Sequence, residues 1–174
     1  MVAIINGESQ ESQFETSIAE TIKMHRTTIQ NGSTANAWTD CDTFTVIADE
    51  TQGGIATLNV DGKTLEILKD GLYQFGGCLH VQNNTAGVFS GITVLSRLVQ
   101  DGTEMRCSQR GYVINIAAGG EDVLSYNGTA ALAAGEEVKL QYYTDNTNVD
   151  FFSDSNFDNA VAYTLWLIRV GELE

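Results

Sequence analysis

Proline does not occur in this chain of 174 residues, against an average usage of about 5%. Turns must therefore be built from its seventeen glycines and from Asn and Asp, residues that tolerate positive φ. Histidine is nearly as scarce: His25 and His80 stand without an adjacent Cys or His, which is too little for a zinc site. The cysteines, Cys41, Cys78 and Cys107, are odd in number and form no CxxC pair. They read as free thiols in a reducing compartment rather than as a disulfide framework. Bases are outnumbered, nine to twenty-three, giving a formal charge of −14. Nucleic-acid affinity comes from Lys and Arg displacing counterions, so no nucleic-acid partner is expected. No run reaches the roughly eighteen apolar residues of a membrane-spanning helix, and residues 1–10 show no basic region of the kind that opens a secretory signal. No membrane partner is expected either.

What is present divides near residue 42. Residues 1–42 carry six acids and two bases, net −4. Within them Phe14, Ile18, Ile22, His25 and Ile29 recur at intervals of 4, 4, 3 and 4. That spacing predicts one narrow apolar stripe on a helix from Gln13 to Ile29. Thr16, Thr21, Thr27 and Thr28 weaken such a helix, so it would need a partner surface. Residues 1–42 are therefore expected to form an arm or helix that docks on a partner or trimerises.

From residue 43 the pattern changes to short runs of Val, Ile, Thr, Tyr and Phe bounded by Gly, Asn or Asp. Strands are expected at 43–48, 55–60, 64–68, 72–82, 91–100, 104–108, 111–117, 122–132, 137–144, 149–153 and 160–170. Asp61-Gly62, Asp101-Gly102 and Asn127-Gly128 supply hairpin turns. About ten short strands without a helix among them imply an all-β sandwich or barrel. The last strand is apolar on both sides, with Val161, Tyr163, Leu165 and Leu167 on one and Ala162, Trp166 and Ile168 on the other. Such a strand is covered on both faces, so its second face is expected to meet another subunit or the N-terminal segment.

Two stretches, Gly71-Leu72-Tyr73-Gln74-Phe75 with Val81, and Leu132-Ala133-Ala134-Gly135-Glu136-Glu137-Val138-Lys139-Leu140, carry a family likeness. They resemble two signatures of the jelly roll of tumour necrosis factors and complement globular heads. The family's Phe-x-Gly turn into its last strand is replaced by Asn156-Phe157-Asp158-Asn159-Ala160. The resemblance implies a jelly roll over residues 43–174 and a homotrimer. It makes Tyr73, Phe75, Tyr142 and Tyr163 the candidates for a trimer interface around a three-fold axis. Trimeric jelly rolls of this kind serve as bacteriophage capsid decoration (cement) proteins, and the chain's size, acidity and want of a fibre shaft resemble those most.

Chemistry is thinly signalled. No GxSxG, HExxH, P-loop or GxGxxG occurs, so no catalytic residues are assigned, His80 is taken for an ordinary strand histidine, and no enzyme or cofactor is expected. The acidic run Asp145, Asn148, Asp150, Asp154, Asn156 and Asp158 offers hard oxygen ligands but lacks the glycine and glutamate of a calcium loop. No metal is assigned. The expectation is a structural virion protein, a homotrimer made in the host cytoplasm that braces the outer capsid surface. Its partners are itself and the major capsid protein, with Phe14, Ile18 and Ile22 as capsid-docking residues. The alternative is a fibre-tip head that binds a host glycan through Tyr126, Phe151 and Phe152. A small capsid subunit would want a basic arm, and this arm is net −4.

Overall fold

The computed structural model describes residues 20–31, 35–88, 90–105, 110–151 and 161–172. They form fourteen strands: β1 (Glu20–Arg26), β2 (Gln30–Asn31), β3 (Ala37–Asp40), β4 (Thr45–Val46), β5 (Ala56–Leu58), β6 (Thr64–Ile67), β7 (Gly71–Asn83), β8 (Ile92–Gln100), β9 (Thr103–Glu104), β10 (Arg110–Ile114), β11 (Glu121–Leu132), β12 (Glu137–Thr144), β13 (Val149–Phe151) and β14 (Tyr163–Gly171). One 3-10 turn, Ala48–Glu50, lies between β4 and β5.

All pairings are antiparallel and fall into two sheets. In the first, the thirteen-residue β7 is the spine. β11 runs along one edge of it, while β14 and then β13 share the other; β1 and β4 follow beyond β14, and β2 beyond β13. The second sheet runs β10-β8-β12-β6-β5, with β3 beside β6 on β12 and β9 on β8. This is an all-β sandwich, one of the two forms that the strand pattern allowed, with the jelly-roll arrangement that the resemblance implied.

The core lies between the sheets, because the inward sets of the long strands β7, β8, β12 and β14 are mostly apolar at period two. Tyr73, Phe75, Leu79 and Val81 of β7 meet Leu65, Leu98, Val138, Leu140 and Tyr142 from the other sheet, all nearly or fully buried. The Tyr142 and Phe151 rings, 4.3 Å apart at their centroids, join the two layers. Two glycines make room for that aromatic layer. A Cβ at Gly128 would stand 2.4 Å from the Phe75 ring, and one at Gly77 would stand 2.5 Å from the Tyr126 hydroxyl. The freed space lets Tyr126 donate to the Thr164 carbonyl at 2.5 Å.

The N-terminal reading needs correcting. Over its described part, the helix expected from Gln13 to Ile29 is strand β1, paired with β14 and β4. Residues four apart share a face of a helix, but an even separation also places them on one face of a strand. The spacing of Phe14, Ile18 and Ile22 therefore fitted both. Adding Met24 decides it: Ile22 and Met24 point inward opposite Leu167 and Leu165, while Lys23 and His25 alternate with them. The boundary at residue 42 moves with it, since β1, β2 and β3 are integral to the two sheets. Tyr163 pins this segment. Its hydroxyl donates to Gln30 Oε1 at 2.6 Å and accepts from the Asp42 amide at 2.8 Å, and Arg26 pairs with the Asp42 carboxylate.

Candidate functional site

The outer face of the first sheet is the strongest candidate for an interaction surface, and registers across β1, β14, β7 and β11 lay it out in rows. His25, Thr164, Cys78 and Ser125 form one row; Lys23, Trp166, Gly76 and Asn127 form the next; Thr21, Ile168, Gln74 and Thr129 follow. Trp166 and Ile168 are half-buried, and Leu72, Val123 and Val170 stand at 41%, 43% and 52% exposure around the face. Exposed apolar side chains on a sheet whose other face is already filled mark an association surface. Among the described residues β11 pairs only with β7, which leaves its other edge without a ladder partner there.

A polar group sits within this face. Cys78 and His80, two residues apart on β7, share the outer side, close enough for each to shift the other's titration. Thr164 Oγ1 lies 3.4 Å from Cys78 Sγ and accepts the Cys78 amide at 3.1 Å. Burial alone would raise the thiol, but the hydrogen bonds to His80 and Thr164 outweigh it and hold Cys78 below its usual range. The bond to Cys78 raises His80, against its own burial, and the Glu121 charge adds to the rise. Cys41, by contrast, is fully buried, and desolvation drives its thiol well up. At the lower end of β1 and β14, Glu20 pairs with Arg169 at 2.8 Å and with Lys69. Those two bonds keep its carboxyl below the usual value.

The residues chosen from sequence are placed elsewhere. Tyr73, Phe75, Tyr142 and Tyr163 are each 0% exposed and enclosed in the chain's own core, so they cannot meet a second copy. They fall on the wrong parity: a strand turns successive residues to opposite faces, and the outward set of β7 is Leu72, Gln74, Gly76, Cys78 and His80. Ile22 is 2% exposed, facing inward beside Leu167 of β14, and is no docking residue; Phe14 and Ile18 lie outside the described residues. Tyr126 and Phe151, assigned to a glycan-binding loop surface, are core side chains at 2% and 0%, while Phe152 lies outside the described residues, as do Cys107 and the Asn156–Ala160 turn. Of the acidic run, Asp145 accepts the Thr93 amide at 3.0 Å and Asp150 accepts from Asn84 at 2.6 Å; 154–158 are not described. The second apolar side of β14 does form part of this face, but β1 lies beside it in the sheet rather than over it. The Cys78–His80 pair was missed, though a Cys-x-His inside an alternating strand is itself the signal.

No protein-family model matches the sequence, and no curated protein matches it. Solved structures do. Eiger TNF from S. frugiperda superposes with a TM-score of 0.59 at 10% identity, covering 90% of this chain and 95% of that one. Murine APRIL gives 0.55 at 10% identity, covering 87% and 99%. The fold is that of a TNF-like jelly roll. At this identity the likeness speaks for architecture, and it agrees with the two short signatures, which the structure places in β7 and in the turn from β11 into β12.

Proposed function

We propose that the chain is a homotrimeric decoration protein that binds the outside of a bacteriophage capsid and stabilises it. One observation carries the reading: the outer face of the first sheet keeps Trp166, Ile168, Leu72 and Val123 available although the core beneath is full. Three copies meeting through these faces bury the apolar rim and leave the second sheet outward. A stable association needs about 1,600 Å² of buried surface.

On a capsid, one trimer touching several subunits adds its binding free energy to their mutual affinity. Three attachment segments multiply the avidity of a weak single contact. Phe14 and Ile18, in the chain preceding β1, supply that contact. The −14 charge keeps coated particles apart and disfavours the packaged genome as a partner, which supports an outside location. The major capsid protein is the partner, and assembly follows synthesis in the host cytoplasm.

Light scattering after size exclusion is expected to give three chain masses; one chain mass at micromolar concentration overturns the trimer. Electron microscopy of virions labelled with antibody to this chain is expected to decorate the capsid. Label confined to the tail, or found only on free protein, overturns the capsid assignment while leaving the trimer intact.

A further inference from the structure

The opposite side of the molecule carries a second constellation. On the outer face of the second sheet, Trp38 of the edge strand β3 stands directly across from Tyr143 of β12. Their rings lie 5.7 Å apart at 52°. The Arg97 guanidinium from β8 stacks 4.0 Å from the centre of the Trp38 ring. All three side chains are only partly buried.

Around the rings, planar polar groups hold one another in place. Arg97 Nε donates to Gln141 Oε1 at 2.9 Å, and Gln141 Nε2 donates to Asp40 Oδ1 at 2.7 Å. The Tyr143 hydroxyl donates to Asn36 Oδ1 at 3.0 Å. The charges balance: Arg97 faces Glu104 at 3.2 Å and Lys63 faces Asp40 at 3.3 Å. In a chain of net charge −14, the charges of Arg97 and Asp40 are each paired with an opposite one.

We propose that Trp38, Tyr143, Arg97 and Gln141 form a binding platform for an uncharged oligosaccharide. A pyranose ring offers an apolar C–H face, which aromatic rings take up, beside pairs of hydroxyls, which planar amide and guanidinium edges bind two at a time. Both halves of that recognition are present within one cross-strand neighbourhood, and the mutual hydrogen bonds fix the polar side chains before a ligand arrives, which lowers the cost of binding. Charge balance favours a neutral sugar over an anionic one. A second copy of the chain fits less well, because the cores of protein interfaces are depleted of charged residues and four sit here. The inference goes beyond the decoration reading and does not depend on it: association through the first sheet leaves this platform outward.

The test is calorimetric titration of the full chain with three neutral probes: cellohexaose, maltohexaose and chitohexaose. Saturable binding of at least one is expected at about millimolar Kd. Trp38→Ala and Gln141→Ala are each expected to weaken it by about tenfold, ~1.4 kcal/mol, with the oligomeric mass unchanged and the protein still folded; Arg97→Lys, which keeps the charge but loses the planar fork, is expected to do the same. Failure of all three probes to bind at ~10 mM overturns the proposal. So does binding indifferent to Trp38→Ala and Gln141→Ala, or a loss of oligomeric mass in Trp38→Ala, which makes the patch a contact between copies.

Discussion

The indole of Trp166 lies across Gly76 on the outer face of the first sheet, and a Cβ at position 76 would stand 2.5 Å from its Cζ2 atom. The relationship explains a glycine in the middle of a long strand, where it otherwise weakens the sheet. Gly76→Ala must push the indole off the sheet, and the carbonyl of Tyr126 at 2.9 Å closes the other way out. We expect a loss of about 1–3 kcal/mol, the usual cost of overpacking, and a trimer that dissociates at higher concentration than the wild type. Urea denaturation and light scattering of the same variant check both; an unchanged mass profile would separate Trp166 from association.

Cys78 reports on the same surface. If copies meet there, iodoacetamide should label Cys78 slowly in the wild type and quickly in Val123→Asp, which places a charge on the rim. Cys41, fully buried, should stay unlabelled in both. In the dissociated variant, the pH at which labelling reaches half its maximal rate should lie below that of an ordinary thiol, because His80 and Thr164 lower it. Adding His80→Asn should raise that midpoint. Peptide mass spectrometry resolves the three cysteines; equal labelling of Cys78 in wild type and Val123→Asp would count against the face.

The strands from residue 43 onward were legible because each announces itself locally, by β-branched and aromatic residues between Gly, Asn and Asp. Ten of the eleven expected strands have counterparts among β4 to β14, while the one expected at 104–108 meets β9 only at Glu104 over its described part. The N-terminal strand was not legible, because Phe14, Ile18 and Ile22 satisfy helical and strand periodicity together. Ladder bonds to β14 and β4, made across more than a hundred residues on one side, decide between them. The site was misread for another reason. Aromatic residues mark the alternation of β7, β12 and β14 but not which side is inward. Tyr73 and Phe75 go inward because their partners across the sandwich are apolar, and only the assembled sheets reveal that Gly76 and Cys78 are the outward set.

Glu20 sets an acid limit on stability. Its pairing with Lys69 and Arg169 lowers its folded-state value below the usual 4.5. A carboxyl depressed by folding stabilises the protein above its unfolded value, and that stabilisation disappears as pH falls through the folded one. The wild type should therefore lose more of its unfolding midpoint between neutral pH and pH ~3 than Glu20→Gln does. The difference should shrink in high salt, since the cluster lies at the surface. Parallel pH profiles for the two proteins would show that the pairing contributes nothing.

Tyr163 separates core from interface most cleanly. Tyr163→Phe keeps the ring packed against Phe44, whose centroid is 4.9 Å away, and removes only the hydroxyl. The Asp42 amide and Gln30 Oε1 then lose their partner at a buried site. Leaving such groups unsatisfied costs about 1–3 kcal/mol, and the segment joining β1 to β4 should loosen first. Hydrogen exchange is expected to rise at Asp42 and Thr43 while the oligomeric mass stays that of the wild type. Were Tyr163 instead at the three-fold axis, as the family resemblance implies, the mass would fall and exchange at Asp42 would not change. Opposite responses in two observables make this single substitution a direct test of which face of the first sheet meets the neighbouring copy.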